Sequence, residues 1–380
     1  MKVLQILPAL ETGGVERGTI EIARALKEAN IPNLVVSSGG RYVHDLDEMG
    51  VKHIVLPVQS KNPFKIFVNA RRLRKIILEE GVTIVHARSR APAWVAKIAL
   101  KGCPKVHFLT TFHGTYGLSG GFLKKAYNRV MLSGELVISI SNFITQHILS
   151  NYGYDVSKIR LIHRGADVDK FDASKVSSDR VRELANEWQV PFGKPVILLP
   201  GRLTRWKGQL VLLEALSLMK NKDVTCLFVG SDQGRTDYSQ EMKNAIEKLS
   251  PQTTVLIKEH CNDMPLVYML SDIVVSASTD PEAFGRVIPE AQAMGRIVVG
   301  SNHGGATETI QDGKTGFLVP PADAKALAEK LDEALEMSAE DKEKMSSEAV
   351  KSVRDNFSIA KMCQKTLAVY KELDDENGKS

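Results

Sequence analysis

The sequence predicts an α/β protein made of two doubly wound, Rossmann-like halves facing one another. Three observations carry this. Short apolar segments alternate with amphipathic helical ones from end to end, the order that repeated β-α units and parallel sheets require. The units fall into two sets, each of domain size within a chain of 380 residues, with a polar stretch between them. Glycine-rich turns follow the first strand of each set, where doubly wound sheets meet their ligands.

In the first half the expected strands are Val3–Leu7, Asn33–Ser37, His53–Pro57, Thr83–His86, Val106–Thr110, Leu136–Ser139 and Ile159–His163. In the second half they are Val196–Pro200, Thr225–Val229, Thr254–Lys258, Ile273–Ala277, Ile297–Gly300 and Phe317–Val319. Each is a run of apolar residues with the character of a buried parallel strand. The boundary falls within Asp167–Lys194, where a charged segment and a short helix, Val181–Trp188, lead to a break at Pro191–Pro195. The expected domains are residues 1–170 and 190–358, followed by an amphipathic helix at about Ile359–Leu373 and a polar tail.

Composition narrows the class. Hydrophobic residues are 43% and charged residues 25%, as in a soluble globular protein. No apolar run reaches the roughly 18 residues of a spanning helix, and Met1–Pro8 reads as a first strand, not a signal peptide. The four cysteines are scattered without zinc spacing, which suits reduced thiols and a cytoplasmic location. The net charge of +5 hides an asymmetry: residues 1–165 carry 23 Lys+Arg against 11 Asp+Glu, and the remainder carries 27 against 34. A basic first half implies an anionic partner: nucleic acid, anionic lipid, or a phosphorylated or acidic glycan.

Four segments carry candidate chemistry. Pro281–Glu290 places Glu282 in a loop after a strand and Glu290 about one turn inside the next helix, with seven residues between them. A carboxylate in that loop can face a sugar; one further along can accept hydrogen bonds from a ribose diol. Pro200–Gly208 puts Arg202 and Lys207 close enough to clamp one diphosphate. Glu11–Gly18, with Gly13 and Gly14, opens a helix and serves either as a tight turn or as an anion-binding loop. In Gly300–Glu308 the amides of Gly304 and Gly305 can hold phosphate or sugar hydroxyls. Gly313-Lys314-Thr315 is not a phosphate-binding P-loop, because the glycine that motif requires falls on Glu308; it reads as a turn into a strand.

Taken together these strings resemble the retaining GT-B glycosyltransferases, in particular the large nucleotide-sugar-dependent family 4. The two glutamates match that family's Glu-x7-Glu signature, with Phe284-Gly285 in its usual place. Gly201-Arg202…Lys207-Gly208 resembles the motif whose cations neutralise the leaving nucleoside diphosphate without a metal, and the chain contains no Asp-x-Asp. The resemblance implies a GT-B fold, with a last helix that crosses back to the first domain. It implies a sugar held by Glu282 and by His113 from the other side of a cleft, and a ribose bound by Glu290. It implies a donor met by Gly13 and Gly14, a nucleobase near His260 and Asp263, and no cofactor. Arg164 departs from the pattern, which usually has Asn there.

The expected partners are therefore a nucleotide sugar and a glycan or lipid-linked acceptor of the cell envelope, such as a lipopolysaccharide core. Basic amphipathic stretches at Lys61–Lys75 and Gly121–Met131 add an anionic membrane surface, at the inner face of the cytoplasmic membrane. The alternatives are a nucleotide-sugar epimerase of the same fold and a non-catalytic sugar-nucleotide or polyanion-binding protein. Nucleic acid is disfavoured, since the basic helices carry no motif of known readers.

Overall fold

The computed structural model describes residues 1–117, 121–259 and 261–376. The first part of the chain forms β1 (Val3–Ile6), α1 (Gly14–Glu28), β2 (Asn33–Ser37), α2 (Val43–Glu48), β3 (Lys52–Val55), α3 (Pro63–Glu79) and β4 (Ile84–Ala87). It continues with α4 (Arg90–Leu100), β5 (His107–Phe112), α5 (Gly121–Asn128), β6 (Leu136–Ser139), α6 (Asn142–Tyr152) and β7 (Ile159–Leu161). Then follow α7 (Ser178–Trp188), β8 (Val196–Pro200), α8 (Gln209–Leu218), β9 (Thr225–Val229), α9 (Thr236–Ile246), β10 (Thr254–Lys258) and α10 (Met264–Leu270). The chain closes with β11 (Ile273–Ser276), α11 (Val287–Ala293), β12 (Ile297–Ser301), α12 (Ala306–Thr309), β13 (Phe317–Val319), α13 (Ala324–Glu336), α14 (Ala339–Asn356) and α15 (Ile359–Glu376).

Every expected strand is present, and Asn33–Ser37, Leu136–Ser139, Val196–Pro200, Thr225–Val229, Thr254–Lys258 and Phe317–Val319 keep the expected bounds. All pair in parallel, in two sheets: β3-β2-β1-β4-β5-β6-β7 and β10-β9-β8-β11-β12-β13. β3 stops at Val55, ahead of Pro57, whose missing N–H cannot serve a ladder. β5 runs on to Phe112, which pairs with Ser139. Among the described residues no helix is long and apolar enough to cross a membrane.

Two compact units result: Met1–Arg164 with the chain from Ala360 onward, and Gly165–Ile359. The segment after Arg164, read from sequence as the end of the first domain and a linker, belongs to the second unit. Ala166 bridges Ser358 in parallel, with Ala166 N–H donating to Phe357 O at 2.7 Å and Ile359 N–H to Ala166 O at 2.9 Å. Phe171 meets Tyr268 edge-on, and α7 packs on α10. The second core lies where α8, α9 and α13 cover the sheet, with Leu212, Leu216, Phe228, Met242 and Leu331 buried.

α15 closes the first unit, as the family resemblance implies. Tyr370 and Leu373 are fully buried, and Arg160 pairs with Glu372. The Tyr370 hydroxyl lies 2.7 Å from His86 Nδ1, while His86 Nε2 lies 2.7 Å from Thr111 Oγ1. These are fully buried polar groups, and an unmatched one costs about 1–3 kcal/mol. Tyr370→Phe should therefore lower the unfolding free energy by that amount in urea titrations. A variant as stable as the parent would show that α15 is not anchored through this bond.

Candidate functional site

In the second unit strand order reverses between β8 and β11, and open α/β sheets bind ligands beyond the carboxyl ends of their strands at such a point. The loop after β8 holds Lys207 in a 3-10 turn, Arg205–Lys207. The loop after β11 carries Glu282. Since β8 and β11 are paired neighbours, these loops meet. Lys207 Nζ lies 2.8 Å from Glu282 Oε1, with the side chains only 13% and 18% exposed. Ser278 Oγ–H donates to the same oxygen at 2.7 Å. Oε2 has no hydrogen-bond partner among the described residues, and Glu282 helps line a small pocket with Ser276, Ile288, Ser301 and His303.

Glycines allow this approach. Gly208 has φ +76°, and a Cβ there would stand 1.9 Å from Ala277 O, so any side chain would force the two loops apart. Gly305 packs on the Glu282 loop in the same way: a Cβ would lie 2.3 Å from Phe284 O, and its N–H donates to Glu282 O at 2.9 Å. That corrects the expectation that this amide is offered to phosphate or sugar; Gly305 holds the carboxylate's own loop. Phe284 is buried against Phe357, and Gly285, at φ +78°, turns the chain beside the Glu282 carboxyl group. His303 Nε2 lies 2.7 Å from Ser278 O; the carbonyl can only accept, so this nitrogen carries the hydrogen.

Glu290 is the fourth residue of α11 and is buried. Tyr268 O–H donates to its Oε2 at 3.2 Å, and Arg286 Nε lies 3.4 Å from its Oε1. Burial, reinforced by the adjacent Glu290 charge, pushes the Tyr268 phenol well above its usual range, so it stays a donor. Arg202 is exposed and makes no ion pair among the described residues, while its carbonyl accepts from Gln209 Nε2 at 3.0 Å. Asp263 pairs with Arg180 at 2.5 Å on the surface, joining α7 to the start of α10. His260 lies outside the described residues.

In the first unit Gly13 precedes α1 and Gly14 begins it. The Gly14 carbonyl accepts from the guanidinium of Arg164, so the residue that departs from the family pattern lies against the first turn of α1. His113 directly follows β5, and its backbone N–H donates to Tyr116 Oη at 3.4 Å. Its Nε2 is buried without a partner among the described residues. Burial above all, then the charges of Arg88 and Arg164, hold its pKa well below the ordinary value, so the ring is neutral. Arg88, at the end of β4, is itself buried and donates to Gln5 Oε1 at 2.9 Å, leaving Nε unpartnered among the described residues.

The structure thus joins Lys207, Glu282, Phe284 and Gly285 in one cluster and gives Glu290 its own buried partners. Sequence reasoning missed Ser278, His303, Tyr268 and Arg286 as supporting residues. Ser278 closes the apolar run before the loop and His303 stands in the Gly-Gly segment, but nothing in their spacing reveals which oxygen each would face.

Chemically, a cation and a carboxylate at a sheet's switch point, with a second cation uncommitted, can divide a ligand bearing a diphosphate and a polyol. Residues 12–170 match the family model for Glycosyltransferase Family 4, and residues 181–352 match that for Glycosyl transferases group 1. A crystal structure of a glycosyltransferase from Rickettsia africae ESF-5 is 42% identical, covers 98% of each chain and superposes with a TM-score of 0.91. Spore coat protein SA of Bacillus subtilis (strain 168) is 26% identical over 364 residues, 92% of this chain and 89% of the relative. Anabaena Alr3699/HepE, crystallised with UDP and glucose, shares the fold at 23% identity and a TM-score of 0.83, over 98% of this chain and all of its own. The two parallel sheets with their helices are the GT-B architecture.

His86 and His113 give a pH signature. Both have folded pKa values well below 6.5, His86 chiefly through burial. Below that pH the unfolded chain takes up protons that the folded chain refuses, so stability should fall from about pH 6.5 towards 5, by up to about 1.4 kcal/mol per pH unit for each ring. Urea midpoints across that window test it. His86→Gln and His113→Gln should each flatten the slope; unchanged slopes in both would refute the assignment.

Proposed function

The chain belongs to the glycosyltransferases of group 1 and family 4, and from that premise we propose that it transfers a sugar, with net retention of anomeric configuration, from a nucleoside-diphosphate sugar to a hydroxyl of a glycan or lipid-linked acceptor. The observation that carries this is the Lys207–Glu282 pair, with Glu282 Oε2 unpartnered and Arg202 outside any ion pair among the described residues. A diphosphate offers Lys207 more negative charge than one carboxylate does, and it gives the Arg202 fork two oxygens to grip. As Lys207 turns to the phosphate, Glu282 keeps its bond from Ser278 and takes up the sugar.

In the transfer step the bond from the anomeric carbon to the phosphate oxygen breaks, and its electron pair stays on the diphosphate. Arg202 and Lys207 stabilise that growing charge, so no resident cofactor or metal is called for. The acceptor oxygen bonds to the anomeric carbon on the face the phosphate leaves, and its proton passes to the departing phosphate oxygen. Glu282 favours the positive character of the sugar carbon. Glu290, oriented by Tyr268 and Arg286, accepts from the ribose hydroxyls, since each carboxylate oxygen can take more than one donor. Within the first unit the neutral His113 ring is suited to hydrogen bonding with an uncharged hydroxyl.

The UDP and glucose in the Anabaena relative make UDP-glucose the first donor to try. The basic first unit supports an anionic acceptor or one carried on lipid, at the cytoplasmic face of a membrane.

Screening nucleoside-diphosphate sugars for a rise in melting temperature, and then for transfer, tests the proposal. Lys207→Ala and Glu282→Gln should each reduce turnover about 100- to 1,000-fold, and the anomeric proton coupling of the product should match that of the donor. Near-parental turnover in either variant would remove that residue's role. An inverted product would overturn the stereochemistry, and silence with every donor would overturn the whole proposal.

A further inference from the structure

His113 opens the loop that leaves β5, and the shape of that loop is set at Tyr116. Tyr116 has φ +39°, a left-handed backbone that a bulky side chain rarely adopts. Such a conformation persists only where its surroundings over-determine it, and it gathers at catalytic sites and ligand clamps. Gly114, between the two residues, does not restrain the loop: a Cβ there would meet none of the described residues within 4 Å. The restraint comes from around Tyr116.

The Tyr116 ring lies tilted against Phe112, with centroids 4.6 Å apart, and the Arg90 guanidinium stands 4.5 Å from the ring centroid. The Tyr116 hydroxyl accepts from His113 N–H at 3.4 Å, so the loop closes on itself. The Tyr116 carbonyl accepts from Asn128 Nδ2 at 2.9 Å, and Asn128 Oδ1 accepts from Arg90 Nη1 at 2.9 Å. Asn128 is fully buried. The arrangement uses what sets a short amide apart, a donor and an acceptor side by side. The carbonyl can only accept and the guanidinium can only donate, so the two ends of the amide cannot be exchanged. An aspartate would turn an oxygen towards the carbonyl, and an alanine would leave both partners unmatched.

Asn128 can restrain the loop because it is itself held. Trp94 of α4 donates from Nε1 to the carbonyl of Tyr127 at 3.1 Å. Thr110 of β5 donates from Oγ1 to the carbonyl of Met131 at 2.6 Å. The end of α5 is thereby tied to α4 and to the strand that carries His113. We infer that Asn128 is a positioning residue for His113, acting through Tyr116 to set the imidazole for hydrogen bonding with a substrate hydroxyl. The bond from His113 N–H is long, so the Tyr116 hydroxyl contributes least to this; the ring and the amide contribute most. The placement of the imidazole stands independently of the reaction, and its kinetic consequence rests on the transfer proposed above.

Two measurements on the full chain test this. With isotope-labelled histidine, the imidazole resonance that is lost in His113→Gln belongs to His113. Asn128→Ala and Asn128→Asp should both displace that resonance, and Tyr116→Phe should displace it less. In the transfer assay Asn128→Ala should lower kcat about 100-fold, the cost of misplacing by an ångström a group that binds the reacting substrate. In the His113→Gln background the same substitution should cost no more than about twofold, because nothing is left to position. An unmoved His113 resonance in both Asn128 variants overturns the inference. So does an equal loss of kcat with and without His113, which would leave Asn128 a purely structural role. Arg90 is only partly buried, so Arg90→Ala tests the same link should the Asn128 variants not fold: it strips the donor from Asn128 Oδ1 and the cation from the Tyr116 ring, and an unmoved resonance there overturns the inference too. A parent that transfers no sugar from any donor overturns the proposed reaction, and the resonance still decides the placement.

Discussion

The ion pair between Lys207 and Glu282 is the constraint around which the second unit is arranged. It exists because β8 and β11 pair side by side while the strand order reverses between them, so the two loops leaving them have no helix in between. Bringing a half-buried ammonium and carboxylate together is favourable only when each also finds good geometry, since desolvation opposes the attraction. Ser278 gives that geometry to Glu282 Oε1, and the bond between His303 and Ser278 O ties the other neighbouring loop to it. A charged pair held this way leaves the carboxylate a second partner, the Ser278 hydroxyl, if the cation is drawn away.

The glycines show how much of the site is set by backbone approach. Gly208 and Gly305 both stand where another loop's carbonyl comes closer than any Cβ permits. Both contacts set the position of the Glu282 loop, one from the β8 side and one from the β12 side. A glycine-rich string next to a strand therefore has two physical meanings, room for a ligand or room for another loop. The hydrogen bond from Gly305 N–H to Glu282 O decides for the second at that position.

Much of this was legible in the sequence because it depends on local pattern. All strands were evident from apolar runs, and the carboxylate and cation motifs from their place after strands. What was not legible depends on register and on side-chain partners distant in sequence. Tyr268 reaches Glu290 from α10, across 22 positions, and Asp263 pairs with Arg180, 83 positions away. The unit boundary shows the same limit: residues up to 170 read as the end of the first domain, but Ala166 is fixed by a bridge to Ser358 within the second unit, which no local pattern announces.

The two units apply one topology to opposite electrostatic ends. In the second, opposite charges meet at the switch point and neutralise each other. In the first, the corresponding strand ends of β1, β4 and β5 gather Arg88 and two imidazoles, with Arg164 against the first turn of α1. Burial above all, and then the nearby guanidinium charge, keeps those imidazoles neutral. A neutral ring can donate from one nitrogen and accept at the other, whereas a protonated ring can only donate. Burial and these two guanidinium groups thereby preserve, in His113, a group suited to hydrogen bonding with uncharged hydroxyls. That division follows from which residues follow which strands, and it requires no difference in fold between the two halves.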